Sequence, residues 1–424
     1  MRRAIFRIKK TNFHSPGAPL VCGAKGGNIR LPYNPASCSE AFMSSSRPQA
    51  SPLVAERTSH PFLTYDMIQE IPDAAKKTIE NSGAQAKSIA EHLEQKAHFY
   101  FTGCGTAFFS AMLGSNIFSL AEGNALSFEN VQALELSNRN AINRTSAVFG
   151  VSHSGITKTT LDALRVVKSM GGYAVGITHF AGSPISSVAD EVIVVGNGPD
   201  RSRCHTKCYP TGALPITAIA VELLEQRRSS QPDRLRRIRD ELGDLPQLAK
   251  KVLSSTEPAM KELAENSVGK QTMYFAGTGA SYPNALEAAL KILETSYVPA
   301  QGFETEQLMH GPWVSLDEGS LVFVMATESG TSARSLDLVK ASTKLGATAV
   351  PLVYEGDAEF SAVCKNTIQL PRIDEQLVPY LSIIPLYLFA YYMAVRRGNN
   401  PDYLRYLDPA YWEARTIIFP PGTH

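Results

Sequence analysis

The chain has 424 residues, 44% of them hydrophobic and 19% charged, with a formal net charge of +1. That length and apolar content support two domains with sizeable cores. The near-neutral balance gives no electrostatic reason to expect nucleic acid or an anionic membrane as a partner. Six cysteines scattered from Cys22 to Cys364 make no disulfide framework and favour a reducing, cytoplasmic setting.

Residues 1–60 are rich in Ser, Pro, Gly and Asn, lack periodicity, and carry no acidic residue before Glu40. They read as a disordered extension, or as a start placed too early with Met43 as the true one. Order is expected from about His60. Tyr65–Ser82 has helical spacing, interrupted at Pro72 and stopped by Gly83. Ala97–Phe101 reads as a strand and Thr106–Ala121 as a helix. Ala147–Val151 is a continuous apolar strand of the kind found inside a parallel sheet. Thr157–Met170 is a helix closed by Gly171 and Gly172. Tyr173–Ile177 and Val192–Val195 are further strands. A charged helical region follows from Thr211 to Leu253, with breaks expected at Pro232 and Pro246.

A second series repeats this order. Its strands are Thr272–Phe275, Leu321–Met325, Ala349–Val353 and Thr367–Leu370, and its helices Pro283–Tyr297 and Thr331–Leu345. The apolar stretch Leu377–Val395 contains Pro379 and Pro385 and four tyrosines that need partners. It reads as a buried helix beginning after Pro385 rather than a membrane span.

The two series are copies. Tyr100-Phe101-Thr102-Gly103-Cys104-Gly105-Thr106-Ala107 returns 174 residues later as Tyr274-Phe275-Ala276-Gly277-Thr278-Gly279-Ala280-Ser281. Ser152-His153-Ser154-Gly155-Ile156-Thr157 returns after 175 residues as Thr327-Glu328-Ser329-Gly330-Thr331-Ser332. A fainter echo pairs Glu191–Val195 with Thr367–Pro371. Alternating strands and helices predict an α/β protein of two units, each a parallel sheet flanked by helices in a flavodoxin-like three-layer arrangement. The boundaries are expected at 61–250 and 251–424. Both repeated motifs fall at the carboxyl ends of strands, where ligands bind in such sheets.

Ser152, Ser154 and Thr157 bring hydroxyls to a loop that opens a helix, a natural site for a phosphate. The loop could equally be a plain serine N-cap, but Gly103-Cys104-Gly105-Thr106 on the neighbouring strand favours the phosphate. In the second copy Glu328 replaces His153. A carboxylate repels phosphate, which assigns the phosphate to the first unit. Glu287, Lys291 and Glu294 are spaced i, i+4, i+7 and share one face of an otherwise apolar helix. Charges on a buried helix need a reason. His310-Gly311-Pro312 follows in a loop. Cys204, His205 and Cys208 could suggest a metal, but three ligands without a matching fourth do not make a structural zinc site, and no metal is assigned. Gly103-Cys104-Gly105 lacks the third glycine and acidic partner of a dinucleotide fingerprint.

On these motifs, residues 60–400 resemble the double SIS-domain (sugar isomerase) proteins, and most of all the isomerase half of the glutamine–fructose-6-phosphate aminotransferases. Ala285 to Glu294 followed by His310-Gly311-Pro312, Cys104-Gly105-Thr106, Ser152–Thr157 and Thr206-Lys207 carry the resemblance. It implies that Cys104, Gly105, Thr106, Ser152, His153, Ser154, Thr157, Thr206 and Lys207 bind the sugar phosphate, with His153 where the family usually has glutamine. It implies Glu294 as the base moving a proton between C1 and C2, His310 as the ring-opening group supplied by a neighbouring subunit, and Glu287 and Lys291 as orienting groups. A homodimer with shared active sites and no cofactor follows. The sequence shows no glutaminase segment and no lysine after Lys365, and Ala107 replaces a phosphate-binding serine. These departures point away from the synthase and towards isomerases, deaminases and deglycases of 6-phosphorylated amino sugars or fructosamines. The alternative is a catalytically silent sugar-phosphate-binding regulatory protein.

Overall fold

The computed structural model describes residues 56–121, 126–139, 142–328 and 330–420. The expectations for the extension up to residue 55, including Met43, and for Ser329 lie outside the described residues. Two five-stranded parallel sheets organise the chain. The first contains β1 (His98–Thr102), β2 (Ser127–Asn130), β3 (Ser146–Val151), β4 (Tyr173–Thr178) and β5 (Glu191–Val194), in the order β2-β1-β3-β4-β5. The second contains β6 (Thr272–Gly277), β7 (Ala300–Phe303), β8 (Ser320–Met325), β9 (Thr348–Tyr354) and β10 (Ile368–Leu370). Its order, β10-β9-β8-β6-β7, is the same arrangement read from the other edge. In both sheets the strand order reverses beside the first strand of the repeat, so the crevice where a ligand enters lies between the loops after β1 and β3, and after β6 and β8.

The helices are α1 (Leu63–Gln69), α2 (Ile71–Leu93), α3 (Thr106–Ser115), α4 (Ala133–Leu136), α5 (Lys158–Ser169), α6 (Cys208–Gln226), α7 (Pro232–Asn266), α8 (Tyr282–Thr295), α9 (Thr305–Met309), α10 (Ser332–Lys344), α11 (Ala358–Val363), α12 (Pro379–Arg396) and α13 (Pro409–Ile418). Strand alternation sends Phe99, Phe101 and Phe149 to one face of the first sheet and Tyr100 and Val148 to the other, where they meet Leu161 and Leu164 of α5. Likewise Phe275 and Phe323 face inward in the second sheet, while Val322 and Val324 meet Leu338 and Val339 of α10. The inward faces of both sheets, with α2, α3, α6, α7, α8 and α12 between them, form one continuous core. The two repeats are therefore fused through their helical layers rather than strung on a linker.

Several expected boundaries move. The interruption at Pro72 is real, because Pro72 opens α2 in its first turn. Gly83 does not stop that helix: Ser82, Ala86, Ile89, Ala90 and Leu93 keep the buried stripe running past it. The helix from Thr106 ends at Ser115 and tightens into a 3₁₀ turn over Asn116–Leu120. Pro232 starts α7, but Pro246 and Pro258 lie inside it. An interior proline costs roughly 3 kcal/mol, and the buried stripe from Leu235 to Leu263 outweighs it. Pro385 is likewise inside α12, which begins at Pro379 and is buried from there to Ala394. The short edge strands β2 and β7 were not predicted; their exposed, polar residues hide the period of two. No described helix is long and apolar enough to cross a membrane.

Candidate active site at the junction of the repeats

Helix α8 carries Glu287, Lys291 and Glu294 on the face directed at α3. Glu287 and Lys291 are completely buried, at 0% and 1% exposure, while Glu294 keeps about a quarter of its side chain exposed. The Lys291 Nζ donates to Glu294 Oε2 at 2.7 Å and to Thr106 Oγ1 at 3.0 Å, and lies 3.3 Å from Glu287 Oε1. Its three protons thus have three acceptors. Thr106 Oγ1 in turn donates to Glu287 Oε1 at 3.3 Å, and Tyr387 of α12 donates to the same oxygen at 2.9 Å. Glu287 Oε2 is buried without a partner.

Burial pushes the Glu287 carboxyl up to about 7, with Glu294 adding to the rise and Lys291, Tyr387 and Thr106 opposing it. Burial works against the Lys291 ammonium, but the Glu287 and Glu294 carboxylates outweigh it and hold the amine well above its ordinary value. The arrangement keeps one cation between two carboxylates of unequal surroundings. The enclosed one retains a proton near neutrality, and the half-open one reaches the cleft. That division suits a proton store beside a working base. Beside Glu294 a cleft of about 540 Å³ is lined by Leu293, Tyr297, Val298, Pro299, Leu404, Arg405, Tyr406 and Tyr411.

The loop after β3 holds the first repeat's hydroxyls. Ser152 Oγ donates to Thr157 Oγ1 at 3.0 Å, and Thr157 immediately precedes α5. Gly155 has φ +67°, and a Cβ there would meet Ser183 Oγ at 2.0 Å, so only glycine allows the close turn. Cys104 is exposed, and its sulfur lies 3.1 Å from Thr159 Oγ1 in the first turn of α5. That contact brings the loop after β1 to the loop after β3 across the strand-order reversal. Gly105, at φ +55°, is the residue before α3.

Other expected site residues take different positions. Thr106 joins Lys291 and Glu287 as described. The His153 ring packs against His179 and His205, with centroid separations of 4.7 and 4.3 Å. Lys207 is 2% exposed and its Nζ pairs with Glu70 at 2.7 Å. Thr206 is buried, with no partner for its hydroxyl. His310 follows α9 on the surface, 73% exposed, with Nε2 3.3 Å from Glu306. Among the described residues no hydrogen bond or ion pair joins it to Glu287, Lys291 or Glu294.

Some of the site was not foreseen. Tyr387 is one of the four tyrosines in the apolar stretch, and the need for buried hydroxyls to find partners was its signal. The other three are also satisfied: Tyr380 by Thr217, Tyr391 by His60 and the Phe62 amide, and Tyr392 by Glu257. Tyr209 donates to Asn284 at 2.6 Å, and Asn284 donates to Pro379 and Ser382, tying α6, α8 and α12 together beneath the charges. In the second sheet Glu328 Oε1 accepts the Ser281 amide at 3.1 Å, so a side chain fills the equivalent crevice. Burial raises the Glu328 carboxyl to about 7, opposed by that bond.

A glutamine–fructose-6-phosphate aminotransferase (isomerizing) of Thermococcus kodakarensis is 30% identical over 349 residues, 82% of this chain and 58% of that protein. The chain thus spans little more than half the length of this relative. The C-terminal domain of the glucosamine-fructose-6-phosphate aminotransferase from Francisella tularensis superposes with a TM-score of 0.74 at 22% identity, over 82% of this chain and all of that one. A glucosamine-6-phosphate deaminase from Thermotoga maritima superposes with a TM-score of 0.66 at 20% identity, over 80% of this chain and 96% of that one. The SIS domain model matches twice, at residues 92–221 and 268–397. These two matches span the two sheets and more than half of the chain, and the protein belongs to the SIS domain family.

Proposed function

We propose that the protein is a phosphosugar isomerase/deaminase. Its substrate would be a 6-phosphorylated amino sugar or fructosamine, with a proton moved between C1 and C2 through an enediol or enamine. The observation that carries this reading is the Glu287–Lys291–Glu294 set, buried at the junction of the repeats and closed by Thr106. A binding protein has no use for a half-open carboxylate held on a buried ammonium. A base that must take and return a proton does.

In this reading the Ser152, Ser154 and Thr157 hydroxyls and the start of α5 hold the phosphate, with the Cys104-Gly105 turn closing the crevice. Glu294 abstracts the proton from one carbon and delivers it to the next. Lys291 keeps Glu294 oriented, and Thr106 fixes Lys291. Glu287, with its carboxyl near 7, holds a proton within the same hydrogen-bonded set. The mostly apolar cleft beside Glu294 gives room for a substituent on the departing nitrogen, which favours a fructosamine over a free amino sugar. His310 lies on the surface, so its ring-opening role requires a homodimer in which it enters the partner's site.

The test is release of ammonia or primary amine from glucosamine 6-phosphate, galactosamine 6-phosphate and a fructosamine 6-phosphate, with solvent proton exchange at C1 and C2 followed in parallel. Wild type should release amine from one of them. Glu294→Gln should lose release and exchange while still binding the phosphosugar. Binding by wild type without release or exchange would overturn the reading in favour of a regulatory protein.

A further inference from the structure

At the carboxyl edge of the first sheet three side chains from two connections converge. His153 follows β3, Asp200 lies in the connection after β5, and Cys208 begins α6. One donor atom from each lies within 4.8 Å of the other two. We infer that His153, Asp200 and Cys208 form a binding site for a divalent transition metal of the zinc type.

The donor set matches that class. Nitrogen, oxygen and sulfur together suit a borderline-soft ion such as zinc, and three protein ligands leave one coordination position open. The state of each ligand is the stronger argument. Asp200 Oδ2 accepts the backbone amides of Thr206 at 3.1 Å and Cys208 at 3.2 Å. Its other oxygen, Oδ1, is buried with no partner. The carboxylate is therefore oriented by one oxygen while the other keeps its lone pairs, as outer hydrogen bonds orient a metal ligand. His153 Nδ1 is also buried and unpartnered. Cys208 is 4% exposed. Buried polar atoms left without a partner are costly, and a cation shared among them removes that penalty.

A further buried histidine lies beside the set. Thr211 donates its hydroxyl proton to the Lys207 carbonyl at 2.9 Å, so the His179 Nε2 that meets Thr211 Oγ1 at 2.9 Å must carry the hydrogen. His179 is 5% exposed and packs on the His153 ring, and its Nδ1 is then a bare, buried lone pair. The adverse charge is Lys207, but its ammonium is bound to Glu70 at 2.7 Å. With Asp200 ionised and the Cys208 thiol giving its proton to solvent on binding, the two anions balance the metal's charge. The metal would tie β3 to α6 and fix the loop that begins at Ser152.

The experiment uses the full chain, stripped with chelator and titrated with Co²⁺ and then Zn²⁺. Wild type should bind one Co²⁺ per chain with a thiolate-to-cobalt charge-transfer band, and Zn²⁺ should displace it. His153→Asn should weaken binding by more than the roughly 10–100-fold that loss of a merely supporting group brings. Cys208→Ser should abolish the thiolate band, and Cys204→Ser should keep it. A Zn²⁺-induced rise in Tm, present in wild type and lost in His153→Asn, reports the site without reliance on the buried Cys208 variant folding. Absence of the thiolate band in wild type, or equal affinity in wild type and His153→Asn, would overturn the assignment. None of these readouts needs a sugar substrate, so failure here and failure of the proposed reaction are separate results.

Discussion

Replacing Lys291 with methionine removes the cation from between two carboxylates while keeping most of the side-chain volume. All three ammonium protons are used, at 2.7 Å to Glu294, 3.0 Å to Thr106 and within 3.3 Å of Glu287. Glu287 is fully buried and has no alternative cation on its helix face. Removing one member of a buried pair costs about 3–5 kcal/mol, chiefly because the other charge is stranded. Lys291→Met should therefore lose that much in urea unfolding at pH 8, above the raised Glu287 value of about 7, and the core shared by both repeats couples the loss into one transition. Adding Glu287→Gln should return about 2–3 kcal/mol of it, since only the partly exposed Glu294 carboxylate is then left behind, a coupling typical of contacting groups. The wild-type pH profile supplies a second check. The Glu287 carboxyl is raised from 4.5 to about 7, so the folded state holds a proton that the unfolded state has released. Its contribution is most favourable below pH 4.5 and falls by about 1.4 kcal/mol per unit up to about pH 7. Glu287→Gln should flatten that segment of the profile. A Lys291→Met loss below about 1 kcal/mol, or strictly additive single and double variants, would refute the picture of a charge-compensated buried cluster.

Glu328→Gln should stabilise the protein by on the order of 1–2 kcal/mol at pH 8 and leave it unchanged near pH 4.5, because only the ionised carboxyl is penalised and its pKa is raised to about 7; thermal unfolding at the two pH values decides this, and an equal effect at both would contradict it. Gly155→Ala, forced into φ +67° against Ser183, should lower stability by about 1–3 kcal/mol, and Ser183→Gly in the same chain should recover part of it. Mixed and reassociated His310→Ala and Glu294→Gln chains, each inactive alone, should regain about a quarter of wild-type turnover, since random pairing makes half the dimers mixed and each mixed dimer has one intact shared site. No recovery in verified mixed dimers would remove His310 from its partner's site.

The repeat was legible because both copies retain strand-end glycine motifs at nearly one spacing, and duplication implies that the two sheets share one strand order, as they do. The Glu287, Lys291 and Glu294 face was legible from helical geometry alone, since i, i+4 and i+7 need no tertiary information. The partner of Thr106 was not legible by the same means. Expected beside the phosphate, Thr106 also hydrogen-bonds Lys291, 185 positions away, and only the docking of α3 on α8 brings them together. Pro246 and Pro385 misled for a related reason: local propensity is a cost of a few kcal/mol, and a long buried stripe overrides it. The convergence of His153, Asp200 and Cys208 depends on two connections at one sheet edge, after β3 and after β5, for which no spacing rule exists. Of the Cys204, His205 and Cys208 cluster read in the sequence, Cys208 belongs to this convergence.

Glu328 has a consequence for how the two repeats respond to solution conditions. Its carboxyl group occupies the amide at the second crevice from within the chain, like a tethered ligand. The second repeat's loops are thus braced from within, and their rigidity is independent of any metabolite. The first repeat carries His153 at the position of Glu328, so hydrogen-exchange protection of its loops after β1 and β3 should track phosphosugar concentration. Two copies of one fold then differ in what steadies their loops, a tethered carboxyl that titrates near pH 7 in one and a bound metabolite in the other.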